Sequence, residues 1–246
     1  MVVEVNRNWE EFLAPYHQAV AELKVKLKGM RTQFAMLTEH SPIEFVTGRV
    51  KSVASIIDKA EKRNVPLDRL REDMQDIAGL RMMCQFVDEI KPVVEYLRKR
   101  NDFEIVEERD YVTQKKDSGY RSYHVVISYP VQTIQGEQKV LVEIQIRTLA
   151  MNFWATIEHS LNYKYSGRFP EDIKIRLQRA AEAASLSLLV FQRTGRQTLR
   201  AQVAVEAHSS QHRCRGRIRP AHRQEEEGCW RQIAHRGAVQ PGPRPN

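Results

Sequence analysis

The sequence predicts an α/β chain of the α+β kind, with one mixed β-sheet flanked by helices and preceded by a long N-terminal helix. Three observations lead to this prediction. Apolar residues recur every three or four positions from Trp9 to Leu37, as in an amphipathic helix. Four apolar segments between Ile77 and Thr148 have the length and the flanking turn residues of strands. Beyond Ala184 neither period continues, which predicts an irregular C-terminal tail.

The first two helices follow from apolar periodicity. The first ends before Ser41-Pro42, and its buried stripe comprises Trp9, Phe12, Leu13, Tyr16, Val20, Leu23, Leu27, Met30, Phe34 and Leu37. A second helix is expected from near Gly48 to about Arg63, and the residues that face inward are Val50, Val53, Ala54, Ile57 and Ala60. Its opposite face then carries a cationic stripe of Lys51, Ser55, Lys59 and Lys62.

The remaining elements alternate between strands and helices. A short helical turn over residues 67–74 precedes the first strand, and a helix through Val94 and Leu97 follows it. The expected strands are residues 77–86, 103–111, 122–131 and 139–148, with a turn at Gln135-Gly136 between the last two. Thr148 is placed to cap a helix to about Tyr165, and a final helix runs from Glu171 through the alanines near Ala180.

Charge and composition divide the chain into two parts. Of its 246 residues, 41% are apolar, which is enough for one packed domain, expected over residues 1–184. That part carries 28 basic and 27 acidic residues, whereas residues 185–246 carry 11 arginines, no lysine and 4 acidic residues. The net charge of +8 therefore describes mainly the tail, and it does not by itself make the domain a nucleic-acid-binding protein.

Two interpretations of residues 185–246 remain open. The arginine, glycine, proline and glutamine content is typical of a disordered basic arm that binds nucleic acid. Out-of-frame translation of a high-GC gene produces the same arginine-rich, lysine-free mixture, and we favour this second interpretation. In neither case do we expect the tail to pack as part of the domain.

Targeting and redox signals are weak. Acidic residues interrupt the apolar start of the chain, and no apolar run approaches the ~18 residues of a membrane span. We therefore expect a cytoplasmic protein without membrane partners. The three cysteines lack the spacing of a disulfide framework or zinc finger, and Cys84 is expected to be a buried strand residue.

The segment 140–148 carries the clearest chemical pattern. Alternation places Val142, Ile144 and Ile146 on one face and a polar row of Glu143, Gln145 and Arg147 on the other. The polar row is either an exposed surface or the wall of a polar site, and strand pattern alone gives both interpretations about equal weight.

Phosphate-binding and metal-binding candidates surround this strand. Asp76 opens the strand of residues 77–86, and if that strand neighbours Glu143, the two carboxylates suit Mg²⁺. The lysine stripe of the second helix and a second group, Lys115, Lys116, Arg121 and His124, supply cations for phosphates. Tyr120 follows Gly119 in a turn, where its ring either stacks on a base or packs on the sheet. The sequence has neither a P-loop nor a glycine-rich dinucleotide motif, so side chains and a metal must bind any nucleotide.

Four segments, in this order and spacing, resemble the RelA/SpoT-type synthetase domain and especially its short stand-alone members, the small alarmone synthetases of the RelQ kind. They are residues 45–52 (FVTGRVKS), 76–81 (DIAGLR), 119–124 (GYRSYH) and 142–148 (VEIQIRT). A helix with Asn152, Trp154 and Glu158-His159 follows. The resemblance covers residues 1–184 and implies a nucleotidyltransferase-like sheet that binds two nucleotides in one cleft.

The resemblance also implies residue roles. Arg49 and Arg81 would stack on the adenine of ATP, while Lys51, Ser55 and Lys59 hold its phosphates. Asp76 and Glu143 would bind Mg²⁺. For the acceptor GDP or GTP, Tyr120 would stack on guanine, Asn152 would read its edge, and the 5′-phosphates would pair with Arg109, Lys116 and His124.

The implied reaction transfers the β,γ-pyrophosphate of ATP to the 3′-hydroxyl of GDP or GTP, which yields (p)ppGpp and AMP in the stringent response. Glu143 would accept the hydroxyl proton, and Gln145 would orient Glu143 or the ribose. No hydrolase activity is expected. In RelQ-like members, residues matching Phe45, Thr47 and Gly48 line an allosteric alarmone site in a homotetramer.

Two rival functions remain at this point. One is a non-catalytic regulator that binds single-stranded RNA through the basic tail. The other is a nucleotidyltransferase, which would release pyrophosphate rather than AMP.

Overall fold

The computed structural model describes residues 8–194 except 39, 115, 117, 165–169, 171, 185, 188–189 and 191–193. The chain divides into the units Met1–Thr194 and Gly195–Asn246, and every described residue belongs to the first. The interpretations of the tail, the role of Lys115 and the helix start at Glu171 therefore fall outside the described residues, wholly or in large part.

A mixed five-stranded sheet forms the centre of the domain. Its strands are β1 (Phe45–Val50), β2 (Ala78–Cys84), β3 (Glu104–Asp110), β4 (Tyr123–Thr133) and β5 (Gly136–Thr148). In space they follow the order β1-β2-β5-β4-β3. β2 and β5 run parallel, and the other neighbours are antiparallel. The predicted fold class is thus confirmed.

The helices surround this sheet. They are α1 (Trp9–Thr38), α2 (Val53–Arg63), α3 (Leu70–Asp73), α4 (Ile90–Arg98) and α5 (Leu149–Lys164), and residues 172–184 are also helical. Short 3₁₀ turns occur at Leu67–Arg69 and Val87–Glu89. As predicted, the Thr148 hydroxyl caps α5, accepting a hydrogen bond from the Met151 amide at 3.3 Å. None of the described helices is long and apolar enough to cross a membrane.

One face of the sheet packs against α1 and α4 and forms the core. Val142, Ile144 and Ile146 are fully buried there, and the apolar stripe of α1 lies against β1, β2, β4 and β5. Gly48 lets α1 approach β1 closely, because an added Cβ would lie 2.9 Å from Val20 Cγ1. Cys84 is fully buried on β2, as expected.

The prediction of the second helix was wrong at its start. Gly48 lies in strand β1, which was not predicted. All six residues of β1 pair antiparallel with β2. The helix begins only after Ser52, whose extended backbone and hydroxyl cap α2 by accepting a bond from the Ser55 amide. The buried residues of α2 are Ile56 and Ala60, whereas Ala54 is exposed.

This later start also divides the predicted cationic stripe. Lys51 lies in the link between β1 and α2, outside the helix. Lys62 is exposed and pairs with Asp58 one turn earlier. Lys59 points from α2 toward Asp76, where it meets Lys51. Two lysines of the stripe therefore converge on one point, and Lys62 does not.

Candidate active site

The polar row of β5 forms the wall of a site, not an exposed surface. Glu143 is 8% exposed and Arg147 3% exposed, while Gln145 is partly buried between them. All three lie on the face of the sheet opposite α1. The sequence left two interpretations of this row open, and burial decides for the polar site.

Strand pairing brings distant polar residues into one line across this face. Thr47, Arg81, Gln145, His124 and Arg109 are successive register partners on β1, β2, β5, β4 and β3. Register partners project from the same side of a sheet. Residues separated by up to 98 positions in the sequence, from Thr47 to Gln145, therefore share one polar surface.

A cavity of about 220 Å³ opens at the β1, β2 and β5 part of this surface. Its lining residues are Thr47, Gly48, Arg49, Lys51, Asp76, Ile77, Gly79, Leu80, Arg81, Glu143 and Gln145. Gly79 lies in register between Arg49 and Glu143, and the nearest atom to an added Cβ would be 4.0 Å away. The absent side chain at Gly79, which sequence reasoning did not single out, leaves the floor of the cavity open.

Asp76 is the first charged centre of the cavity. Its carboxylate accepts hydrogen bonds from Lys51 Nζ at 3.0 Å and Lys59 Nζ at 2.5 Å. Burial alone would raise the pKa of Asp76, but the two ammonium groups outweigh burial and hold that pKa below its ordinary value. Burial also lowers the pKa of Lys59. Asp76 is therefore ionised and already neutralised by lysines in the nucleotide-free protein.

Glu143 is the second charged centre. His124 Nδ1 lies 2.8 Å from Glu143 Oε1, and Gln145 Nε2 donates to Oε2 at 2.6 Å. Burial raises the pKa of Glu143, yet the bonds to His124 and Gln145 hold it below its ordinary value. Glu143 is thus a buried, oriented carboxylate that can accept a proton.

Arg49 and Arg81 form a cationic pair at the cavity wall. Burial and the charge of Arg49 lower the pKa of Arg81. In the described part of the chain, no carboxylate forms an ion pair with either guanidinium. Two planar cations without such partners are well suited to stack on an aromatic base and to face phosphate groups.

Tyr120 lies at the other end of the polar surface. Its hydroxyl is 2.9 Å from His124 Nε2 and accepts a hydrogen bond from Arg147 at 2.9 Å. The Lys116 ammonium lies 5.3 Å from the centre of its ring, and Trp154 lies 6.4 Å away. The side chain is partly buried and held at its hydroxyl, which leaves ring surface for a base.

The turn before Tyr120 is supported by Leu177 and Ala181, to which the sequence analysis gave no role. Gly119 has a positive φ of 86°, and an added Cβ would lie 2.7 Å from Ala181 Cβ. Trp154 Nε1 donates to the Leu177 carbonyl at 2.9 Å, which ties α5 to helix 172–184. The alanine cluster near Ala180 was the available signal, because small residues permit this close approach.

The other predicted acceptor residues have different surroundings. Arg109 is held by both Glu107 carboxylate oxygens, at 2.6 and 2.5 Å, and by the Gln75 amide oxygen. Asn152 lies on α5, and its Oδ1 is buried without a hydrogen-bond partner in the described part of the protein. An unsatisfied buried amide oxygen is costly, so Asn152 is a strong candidate for a ligand contact.

Ser55 and the predicted allosteric residues lie outside the centre of the cavity. Ser55 is exposed in the first turn of α2, with its hydroxyl 2.8 Å from that of Ser52. Phe45 is 41% exposed on the edge strand β1, and Thr47 lines the cavity. Gly48 also lines the cavity through its backbone, whereas a Cβ added there would lie against Val20 of α1.

The donor set fits magnesium. Asp76 and Glu143 line the same cavity, and strand β2, which follows Asp76, is the parallel neighbour of β5. Among the described residues, no group of three or more His, Cys, Asp or Glu side chains could hold a metal by itself. Mg²⁺ commonly takes one or two protein carboxylates and completes its shell with waters and substrate phosphates. Two carboxylates beside phosphate-binding lysines agree with that pattern.

A mixed sheet whose polar face combines two carboxylates, clustered lysines and arginines and a partly buried tyrosine has the features of a nucleotide-binding site in an enzyme. Comparison with known proteins agrees. Residues 48–168 match the region found in RelA/SpoT proteins. GTP pyrophosphokinase YjbM of Bacillus subtilis (strain 168) is 67% identical over 180 residues, which are 73% of this chain and 85% of that protein.

Solved structures show the same relationship. Small alarmone synthetase 1 from Bacillus subtilis, bound to its product pppGpp, matches with 63% identity and a TM-score of 0.74 over 77% of this chain and 97% of that one. Its complex with AMPCPP matches with 58% identity and a TM-score of 0.68 over 78% and 98%. The chain therefore belongs to the RelA/SpoT family, and within it to the small alarmone synthetases.

Proposed function

We propose that this protein is a GTP pyrophosphokinase, which transfers the β,γ-pyrophosphate of ATP to the 3′-hydroxyl of GDP or GTP and releases AMP. The observation that carries the proposal is one continuous polar surface with Glu143 at its centre. The lysine-paired carboxylate of Asp76 lies on one side of Glu143, and Tyr120 lies on the other. Such a surface can hold a donor nucleotide on one side of the general base Glu143 and an acceptor nucleotide on the other.

The donor half lies in the cavity. Arg49 and Arg81 sandwich the adenine. Lys51 and Lys59 release the Asp76 carboxylate and bind the ATP phosphates instead. Ser55, in the capped first turn of α2, adds a hydroxyl donor near the same phosphates. The related synthetase solved with AMPCPP, an ATP analogue, supports a donor site for ATP.

Magnesium would join the donor half. If the lysines turn to the phosphates, Asp76 would be free to hold Mg²⁺ together with Glu143. When bound, the ion neutralises charge on the transferred pyrophosphate. Asp76 then serves mainly as a ligand, and Glu143 retains its bonds to His124 and Gln145.

The acceptor half surrounds Tyr120. Its ring stacks on guanine, and the Asn152 Oδ1 accepts a hydrogen bond from the guanine edge. Lys116 and His124 face the 5′-phosphates. Arg109 binds the same phosphates after its guanidinium releases the Glu107 carboxylate. The relative solved with pppGpp supports a guanine nucleotide in this family of sites.

The chemical step is an in-line displacement. The ribose 3′-oxygen attacks the β-phosphorus of ATP, its proton passes to Glu143, and the bond from the β-phosphorus to the α,β-bridging oxygen breaks. AMP leaves with that oxygen. Gln145 donates a hydrogen bond to Oε2 of Glu143 and so keeps the carboxylate that accepts the proton in its orientation. Positioning and charge stabilisation account for most of the catalysis.

The product separates this function from its rivals. With labelled ATP, GDP and Mg²⁺, we expect AMP and ppGpp in equal amounts. Free pyrophosphate would indicate a nucleotidyltransferase, and no ATP consumption would favour the RNA-binding regulator. No observation on the described residues or in the comparisons favours RNA binding.

Tyr120→Ala tests the acceptor site. Loss of stacking, which contributes ~1–3 kcal/mol per base, should raise KM for GDP by about 10-fold and leave KM for ATP nearly unchanged. Tyr96→Ala is the matched control, because Tyr96 is 42% exposed on α4 and its ring contacts Phe34, which has no assigned nucleotide. Steady-state kinetics with each substrate varied measure both values. Equal damage to the two substrates would show that Tyr120 supports the fold instead.

The domain boundary is tested by two truncations. A chain ending at Ser185 keeps helix 172–184 and should retain the synthetase activity of the full chain. A chain ending at Pro170 loses Leu177 and Ala181, which support Trp154 and Gly119, so its KM for GDP should rise. Kinetics combined with circular dichroism distinguish these outcomes. Inactivity of a folded 1–185 chain would show that residues 186–246 contribute to the site.

The setting of the enzyme completes the proposal. Its proposed nucleotide substrates, ATP and GDP or GTP, favour the cytoplasm. We also propose a homotetramer in which the exposed Phe45 edge of β1, with Thr47 and Gly48, contributes to an alarmone-binding allosteric site. Light scattering with and without pppGpp measures this assembly, and a monomer under both conditions would rule it out.

A further inference from the structure

Arg147 is a buried cation to which the mechanism so far gives no role. It is 3% exposed on the polar face of β5, and no carboxylate in the described part of the chain lies within ion-pairing distance. Its Nε is buried without a hydrogen-bond partner there. Burial lowers its pKa. A desolvated guanidinium of this kind needs a compensating function, because its burial opposes folding.

The contacts of Arg147 complete a ring of five side chains. Arg147 Nη2 donates to the Tyr120 hydroxyl at 2.9 Å and to Gln145 Oε1. From Gln145 the ring continues through Glu143 to His124, and His124 Nε2 returns to Tyr120 at 2.9 Å. The ring therefore contains the proposed base, its orienting amide and the proposed guanine-stacking residue.

Arg147 determines how the hydrogens of this ring are arranged. A guanidinium can only donate, so Gln145 must turn its oxygen toward Arg147 and its NH₂ toward Glu143. Ionised Glu143 accepts from that NH₂ and from His124 Nδ1–H. His124 Nε2 is then an acceptor for the Tyr120 hydroxyl, whose oxygen accepts from Arg147. Without Arg147, the Gln145 oxygen and the Tyr120 hydroxyl oxygen each lose their donor, so both side chains can leave this arrangement.

From this geometry we infer that Arg147 is a positioning residue that holds Tyr120 and Glu143 in one arrangement and so couples acceptor binding to the chemical step. The inference rests on the proposed function. Arg147 acts through Tyr120 and Gln145 and does not itself touch either nucleotide. Its removal should therefore affect the acceptor and the turnover but not the donor.

Arg147→Met tests this inference with a neutral, unbranched side chain. Hydrogen bonds to charged groups contribute ~1.5–3 kcal/mol, so we expect kcat/KM for GDP to fall by about 10-fold or more. KM for ATP should stay within about twofold of the parent, since one fewer bond at Tyr120 leaves the donor cavity intact. Arg69→Met is the matched control, because Arg69 is a surface arginine that pairs with exposed Asp73. If Arg147→Met does not fold, Arg147→Lys replaces it, since lysine keeps the charge but is one atom shorter.

A double-mutant cycle separates positioning from general support. Tyr120→Phe keeps the stacking ring and removes the hydroxyl. If Arg147 acts through that hydroxyl, Arg147→Met should lower kcat/KM for GDP by a clearly smaller factor in the Tyr120→Phe background than in the parent. Fully additive effects, or equal loss of ATP and GDP kinetics, would overturn the inference.

The ring is also tested without catalysis. In ¹⁵N spectra of the nucleotide-free protein, we expect the His124 ring to carry its hydrogen on Nδ1, and we expect the Nε2 signal to shift in the Arg147 variant because the Tyr120 hydroxyl is no longer held against it. An unchanged His124 signal would overturn the inference. Absence of AMP release by the parent would instead overturn the proposed function, and the His124 signal would still decide whether Arg147 orders the ring.

Discussion

Replacing Glu143 with Gln should lower kcat by roughly 100-fold or more, because one positioned general base typically contributes ~10²–10⁴ in rate. The substitution keeps the shape of the side chain and an oxygen that can accept from His124. It removes the charge that attracts the 3′-hydroxyl proton. Binding of GDP should change little, because the contacts of Tyr120 remain. Single-turnover measurement of AMP release, together with calorimetry of GDP binding, separates the chemical step from binding.

Glu137→Gln is the matched control for this variant. Glu137 lies on the same strand, is exposed, and accepts a hydrogen bond from Gln132 at 2.9 Å. The same loss of one charge at that position should leave kcat unchanged. Turnover of Glu143→Gln close to that of the parent would falsify the assignment of Glu143 as the base.

The second large effect is expected for Asp76→Asn. Asparagine removes the charge that neutralises Lys51 and Lys59 and weakens a carboxylate ligand of the proposed metal. Even outer-sphere partners of a metal contribute about 10–100-fold in affinity or activity, so kcat at moderate Mg²⁺ should fall at least that far. Metal-free ATP should bind as well as before or better, because two lysines are then unpaired. Activity across a Mg²⁺ series, and AMPCPP binding with and without the ion, measure these opposite changes.

Asp73→Asn is the control, since Asp73 lies three residues earlier and pairs with Arg69 on the surface. It should leave the Mg²⁺ dependence unchanged. If Asp76→Asn required no more Mg²⁺ than the parent, the metal assignment would be wrong.

Local sequence was sufficient for elements whose stability depends on their own pattern. Helix α1 is 30 residues long, and its buried apolar residues recur at spacings of three and four. Over this length the helical period is clear even where a single position departs from it. The alternation in β5 likewise separated Val142 from Glu143 correctly, because side chains of a strand project to opposite faces. The four family segments were recognisable because their polar residues recur at specific spacings.

Strand β1 shows where local reasoning failed. Its six residues include Gly48, Thr47 and Arg49, which do not read as an apolar strand. The strand exists because its backbone pairs with β2 and because Gly48 admits α1 at close range. Neither cause is local to the segment. The predicted start of the second helix was therefore about five residues too early, and Lys51 was assigned to that helix instead of to the link between β1 and α2.

For this protein, the sequence alone determined the α+β class, the buried faces of α1 and β5 and the family, and it supplied the candidate residues for the chemistry. Only the tertiary structure decided which of those residues meet. Parallel pairing of β2 with β5 brings Asp76 and Glu143 to one cavity, and the register of five strands joins Arg109 to Arg81. It also closes the ring through Arg147, which carried no role in the sequence. Side-chain periodicity is a property of each segment, whereas register depends on the free energy of the whole sheet and its core.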